Sequence, residues 1–140
     1  SVYTQGSTIA AKKVSDLKNR VNLVNTTENA ILLSIHQNTF PESQYHGAQV
    51  FYAPEGEGKA LAEHLQTIFR ETINPGNNRH CKKGEGIYLM EHINKTGVLI
   101  ECGFLSNPEE ARKLSQKEYQ KILSFSIVCG IIEYMNTVES

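Results

Sequence analysis

Two polar residues stand where apolar runs end. Ala30-Ile31-Leu32-Leu33-Ser34-Ile35 leads into His36-Gln37-Asn38, and Val98-Leu99-Ile100 leads into Glu101-Cys102. The first run is too short for a helix and reads as a strand buried on both faces. A polar side chain at the carboxyl end of such a strand occupies the place where open α/β sheets bind their ligands. An imidazole and a carboxylate brought together there have the chemistry of a metal ligand beside a general base. On position alone each also has a plain structural role, His36 as a hydrogen-bonded strand-end residue and Glu101 as a surface carboxylate.

The other groups capable of chemistry carry less pattern. Asn74-Pro75-Gly76-Asn77-Asn78 breaks a helix and opens a polar stretch to Gly86 containing Arg79, Lys82 and Lys83, suited to an anionic ligand or to plain solvation. Cys81, Cys102 and Cys129 are odd in number and lack C-x-x-C spacing. They read as free, buried or half-buried thiols and not as a disulfide framework or a thiolate zinc site. His46, His64, His80 and His92 show no spacing that marks a metal site, and His64 is expected to face solvent from an amphipathic helix.

The elements that must position these residues follow from periodicity. Leu17, Val21 and Val24 recur at helical spacing from Ser15 to about Glu28, with Ser15 or Asp16 as the cap. Ala48 to Tyr52 is a second strand, followed by a helix with Leu61, Leu65, Ile68, Phe69 and Ile73 on one face. Ile87 to Met90 and Val98 to Ile100 read as further short strands. Asn107-Pro108-Glu109-Glu110 has the order of cap, first-turn proline and first-turn acids that opens a helix closing at Leu114.

A last helix from about Gln116 carries two apolar stripes, one through Tyr119, Ile122, Leu123, Ile127, Ile131 and Tyr134 and one through Phe125, Val128 and Ile132. It is therefore expected to be covered on more than one side. Strands alternating with helices predict a single α/β domain over residues 1–140 with a mostly parallel central sheet flanked by helices. No repeat or linker divides it.

Composition narrows the partners. The 140 residues hold 14 Lys and Arg against 15 Asp and Glu, a net charge of -1 with no stretch of one sign, so no nucleic acid is expected. No apolar run approaches the roughly 20 residues of a membrane span, and the first residues lack a signal-peptide pattern. The opening Ser1-Val2-Tyr3-Thr4 is β-prone and lacks an initiator methionine, which reads as a fragment.

Ser34-Ile35-His36-Gln37-Asn38 and the run Val98-Leu99-Ile100-Glu101-Cys102-Gly103-Phe104-Leu105-Ser106-Asn107 closely resemble signature segments of the zinc-dependent N-acetylmuramoyl-L-alanine amidases. The likeness continues through Gly47-Ala48-Gln49-Val50-Phe51-Tyr52, Tyr88-Leu89, Glu118-Tyr119-Gln120, and Arg20 and Asn25 in the first helix. The Gly-Ala-Gln-aromatic strand and the loop containing Pro41 look most like the cortex-maturation branch of spore-forming bacteria.

The resemblance implies a hydrolase of peptidoglycan working outside the cytoplasmic membrane. His36 resembles the second histidine ligand of the catalytic zinc and Glu101 the essential carboxylate beside it. The bond cut in the family joins N-acetylmuramic acid to the L-alanine of the peptide stem. Asn38 is then a substrate-facing or supporting residue, and Arg79 a partner for a stem-peptide carboxylate.

The family's other two zinc ligands, a histidine and a glutamate, belong to segments before the part represented here. Its N-terminal strand and helix are expected to be absent, and Gln5 stands where an arginine is usual. One histidine cannot make the three-ligand site of catalytic zinc, so the chain alone is expected to bind zinc weakly and to be inactive. An exposed sheet edge would invite association with another copy or with the missing segment. A second reading keeps the fold and drops the chemistry, making the chain a non-catalytic module that binds muropeptide or a partner protein. A third, a thiol hydrolase centred on Cys102, lacks a paired histidine.

Overall fold

The computed structural model describes residues 8–38 and 46–139. Expectations that fall on Ser1 to Thr4, Gln5 and the Pro41 loop lie outside the described residues. The elements run α1 (Ile9–Thr26), β1 (Ile31–Asn38), β2 (Gln49–Tyr52), α2 (Gly58–Thr72), β3 (Lys82–Lys83), α3 (Tyr88–His92), β4 (Thr96–Phe104), α4 (Pro108–Leu114) and α5 (Lys117–Glu139). The four strands form one sheet in the order β1-β4-β2-β3. The β1–β4 and β2–β3 pairings are parallel and β2–β4 is antiparallel, so the expected α/β fold holds with a mixed sheet.

Side chains alternate across β4, and each face closes its own core. Val98, Ile100 and Cys102, with Val50 of β2, pack beneath Leu61, Leu65 and Phe69 of α2 and Leu123, Ile127 and Tyr134 of α5. Leu99, with Phe51 and Leu32, meets Leu89, Met90 and Ile93 and the α1 residues Leu17, Val21 and Val24. The apolar positions of α2 sit three and four apart and therefore share the face turned to the sheet.

Several local expectations change. α1 begins six residues before Ser15, because the Thr8 side chain accepts from the Ala11 amide at 3.0 Å and caps the helix. The stretch from Ile87 to Met90 is no strand: it holds the start of α3, whose short turn buries Leu89 and Met90. β4 is longer than its apolar centre, because Glu101, Cys102, Gly103 and Phe104 continue the ladder. β1 is not buried on both faces. It is an edge strand of the described sheet, with Ile31 and Ile35 exposed.

α5 is likewise covered on one side, not two. Phe125 is 70% exposed, and Val128 and Ile132 share its outward stripe. α5 is long and apolar enough to cross a membrane by length and composition, more than the sequence reading allowed, yet Leu123, Ile127 and Tyr134 are buried against the domain. His64 does not simply face solvent; it is half-buried, with Nδ1 3.7 Å from the Glu133 carboxylate of α5.

Candidate active site

β4 lies between β1, parallel to it, and β2, antiparallel to it. In the first register His36 faces Glu101; in the second Gln49 faces Glu101. The three therefore form a row across three strands on one face of the sheet, each about 4.8 Å from the next along the hydrogen-bonding direction. The parallel pairing brings the carboxyl ends of β1 and β4 together, as the sequence reading required.

The members of the row differ in exposure. His36 is exposed, and its Nε2 lies 3.0 Å from the Ser34 hydroxyl, two residues back on the same face. Glu101 is 4% exposed and Gln49 2%. The register shifts between His36 and Asn38, and Asn38 pairs with Phe104. Irregularities of this kind concentrate beside active sites because they re-aim the strand end.

Arg79 reaches the same end of the sheet from the loop after α2. Its guanidinium lies over the Phe104 ring, 5.2 Å from the centroid, its Nε donates to the His46 carbonyl at 3.1 Å, and its Nη1 to Gln49 Oε1 at 3.4 Å. The loop is held from behind by Arg70, which donates to the carbonyls of Asn77 and Arg79, both at 3.0 Å. Lys82 and Lys83 leave this group; they form β3 beside Phe51 and Tyr52 and are exposed.

Two residues that the sequence reading did not assign to the site hold it. Gln49 ties the row to the Arg79 loop. Glu110, buried in the first turn of α4, accepts from the Gly47 amide at 2.6 Å and from the Phe104 amide at 3.5 Å, joining the approach to β2 to the end of β4. The cue for Gln49 was a polar residue opening an apolar strand. For Glu110 it was only its place behind a proline cap.

Cys102 points the other way, into the core under α2, and is 2% exposed. Burial first, and the neighbouring Glu101 charge second, push its thiol up to about 11. Such a thiol is protonated at neutral pH and is no nucleophile, which removes the thiol-hydrolase reading. His92 stacks on Tyr88 at 4.0 Å and His64 lies beside Glu133, while His46 and His80 lend the site their backbone carbonyls, to Arg79 and Gln49.

Among the described residues no group of three His, Cys, Asp or Glu side chains could hold a metal ion. His36 with Glu101 beside it fits one ligand and a base, not a whole three-donor centre.

Residues 2–133 match the N-acetylmuramoyl-L-alanine amidase family. The germination-specific N-acetylmuramoyl-L-alanine amidase of Bacillus subtilis is 40% identical over 124 residues, covering 88% of this chain and 52% of that protein. The CwlD amidase from Clostridioides difficile, solved in complex with the GerS lipoprotein, superposes with a TM-score of 0.87 at 36% identity, covering 94% of this chain and 67% of that one. An N-acetylmuramoyl-L-alanine amidase from Clostridium difficile 630 gives 0.77 at 28% identity, covering 86% and 65%. The chain thus spans about half the length of its germination-specific relative, and the likeness falls in the branch expected from the Gly-Ala-Gln-aromatic strand. With the family match running almost end to end and the fold shared with solved members, this chain belongs to the N-acetylmuramoyl-L-alanine amidase family.

Proposed function

We propose that this chain forms the later part of a catalytic domain that hydrolyses the bond between N-acetylmuramic acid and the L-alanine of the peptide stem in peptidoglycan. The observation that carries the reading is the in-register apposition of exposed His36 and buried Glu101 on neighbouring parallel strands. His36 is a zinc ligand, its ring steadied by the Ser34 hydroxyl. When bound, zinc supplies positive charge that polarises the amide carbonyl and acidifies a water to a pKa of about 7.

Glu101 takes a proton from the attacking water as the new oxygen–carbon bond forms. It returns that proton to the stem amine as the carbon–nitrogen bond breaks, leaving a lactyl carboxylate and a free L-alanine amine. Arg79 receives a stem carboxylate, and Asn38 faces the substrate beside it. The enzyme works outside the cytoplasmic membrane, in cortex maturation.

The donors that His36 needs come from polypeptide outside the described residues. Exposed Ile35 on edge strand β1 and Phe125 on α5 support packing of further polypeptide on that side, either the remainder of the domain or another copy of the chain. Glu101→Gln in the full-length enzyme should lower release of new amino groups from muropeptide by about 10²–10⁴-fold, and His36→Ala should lose zinc by metal analysis. Near-normal turnover with Glu101→Gln, or full zinc content with His36→Ala, refutes these roles.

A second reading, a module that binds muropeptide or a partner protein without cutting, is favoured by the lack of a three-donor group among the described residues. A zinc-supplied, full-length wild type that retains muropeptide yet releases no amine would establish it.

A further inference from the structure

We infer that Gln49 is a positioning residue of this site: it fixes the Arg79 guanidinium relative to Glu101 and so sets where a carboxylate-bearing peptide stem is anchored during cleavage. The inference rests on the amidase reading above and deepens it.

A glutamine at the first position of a strand and 2% exposed needs a reason, because burying an amide without partners is unfavourable. Gln49 uses both ends. Its Nε2 donates to the His80 carbonyl at 2.7 Å and to the Val50 carbonyl at 3.3 Å, and its Oε1 accepts from Arg79 Nη1 at 3.4 Å. A carbonyl on one side and a guanidinium on the other fix which end of the amide is nitrogen, so the group is keyed to these partners.

The geometry shows what that key does. Neighbouring contacts pin the loop backbone: Arg70 holds the carbonyls of Asn77 and Arg79, and Asn77 Nδ2 donates to the Ala48 carbonyl at 3.0 Å. Gln49 holds the loop and also reaches the guanidinium itself, from a position directly opposite Glu101 in the β2–β4 register. One short side chain thus spans from the strand paired with the one that carries the base to the cation that receives the stem. The Nε side of the guanidinium is held by the His46 carbonyl at 3.1 Å and its plane lies over Phe104, so Gln49 governs the direction of the Nη1 end while the base stays where it is.

A merely structural Gln49 would weaken the enzyme evenly. A positioning Gln49 acts on one part of the substrate, so the full-length enzyme is assayed with a muramoyl peptide bearing free stem carboxylates and with the same peptide amidated at those carboxylates. Gln49→Met keeps the length and loses the hydrogen bonds. It should raise KM for the carboxylate substrate about 10-fold, the size of one lost charge-assisted contact, with kcat and the amidated substrate changed less than about 3-fold. Arg79→Ala should do the same, and the double variant should be no worse than Arg79→Ala alone.

Gln49→Asn, one methylene shorter, keeps an uncharged amide but withdraws its oxygen from Arg79; it should give the same carboxylate-selective rise in KM and serves should Gln49→Met fail to fold. Equal losses on both substrates, additive effects of the two substitutions, or a wild-type KM for the carboxylate substrate in both Gln49 variants overturns the inference. If Glu101→Gln abolishes cleavage while this selectivity is missing, only the role of Gln49 falls; a wild type that cleaves neither peptide overturns the amidase reading and this role together.

Discussion

Glu110→Ala should destabilise the enzyme by about 2 kcal/mol, although Glu110 touches no reacting atom in the proposed chemistry. Its carboxylate is 5% exposed and accepts a 2.6 Å hydrogen bond from the buried Gly47 amide; the 3.5 Å contact from the Phe104 amide is at the limit of a bond and counts for little. A hydrogen bond to a charged group contributes about 1.5–3 kcal/mol, and stranding the amide describes the same loss from its other end, so the two are not summed. Loss of an acidic group from the first turn of α4 adds about 0.3–1 kcal/mol. Together these centre on about 3 kcal/mol, and relief of the carboxylate's own desolvation works the other way, which leaves about 2 kcal/mol.

Asn107→Ala is the control on the same helix. The Asn107 side chain caps α4 by accepting from the amides of Glu109 at 3.1 Å and Glu110 at 3.3 Å, and loss of such a cap costs about 1 kcal/mol. At roughly 4 °C per kcal/mol for a domain of this size, Tm should fall by about 8 °C for Glu110→Ala and about 4 °C for Asn107→Ala. Urea unfolding should give the same order with an unchanged m-value, and the Gly47 amide should lose its hydrogen-exchange protection in Glu110→Ala alone. Equal losses in the two variants would refute the reasoning, because Glu110 would then be acting as an ordinary first-turn acid.

Three further outcomes follow from single contacts. Gly58→Ala would place a Cβ 2.7 Å from the Gly97 carbonyl oxygen and 2.8 Å from that of Ala53; the backbone must shift, so thermal melts should show a loss despite the gain of about 1 kcal/mol in helix propensity. Cys102, raised from 9.0 to about 11, binds its proton more tightly folded than unfolded; its contribution is complete below pH 9 and is lost as pH rises to 11, on the order of 2–3 kcal/mol. Chemical denaturation from pH 8 to 11 should show that decline in wild type relative to Cys102→Ala, and native Cys102 should resist alkylation at pH 8. Asn25→Ala removes the bonds to the His92 carbonyl at 3.1 Å and from the Asn94 amide at 2.7 Å that tie α1 to the turn before β4, and urea titration should show a loss of about 1–2 kcal/mol.

What could be read from the sequence was what local rules govern. The α4 start was legible because Asn107 and Pro108 fix it within three residues, and α2 because its apolar face repeats over four turns. The stretch from Ile87 to Met90 was misread because four apolar residues carry no period; burial of Leu89 and Met90 under the sheet decided for a turn of helix. The apolar run of β1 and the outer stripe of α5 were both read as doubly covered. Hydrophobicity records that a surface is suited to burial, while the cover itself is a tertiary fact that the run does not contain.

The site was legible to the extent that its strands are parallel. A rule that looks to the carboxyl ends of strands finds His36 and Glu101, because β1 and β4 run the same way and their ends coincide. It overlooks Gln49, since β2 runs against β4 and presents its first residue, not its last, at that level. Nothing in the five residues of β2 and its approach, Ala48 to Tyr52, records a direction. In a mixed sheet, therefore, a buried polar residue that opens a strand warrants the same scrutiny as one that closes it. Here that scrutiny leads from Glu101 through Gln49 to Arg79, along contacts formed by residues 52 and 30 positions apart in the chain.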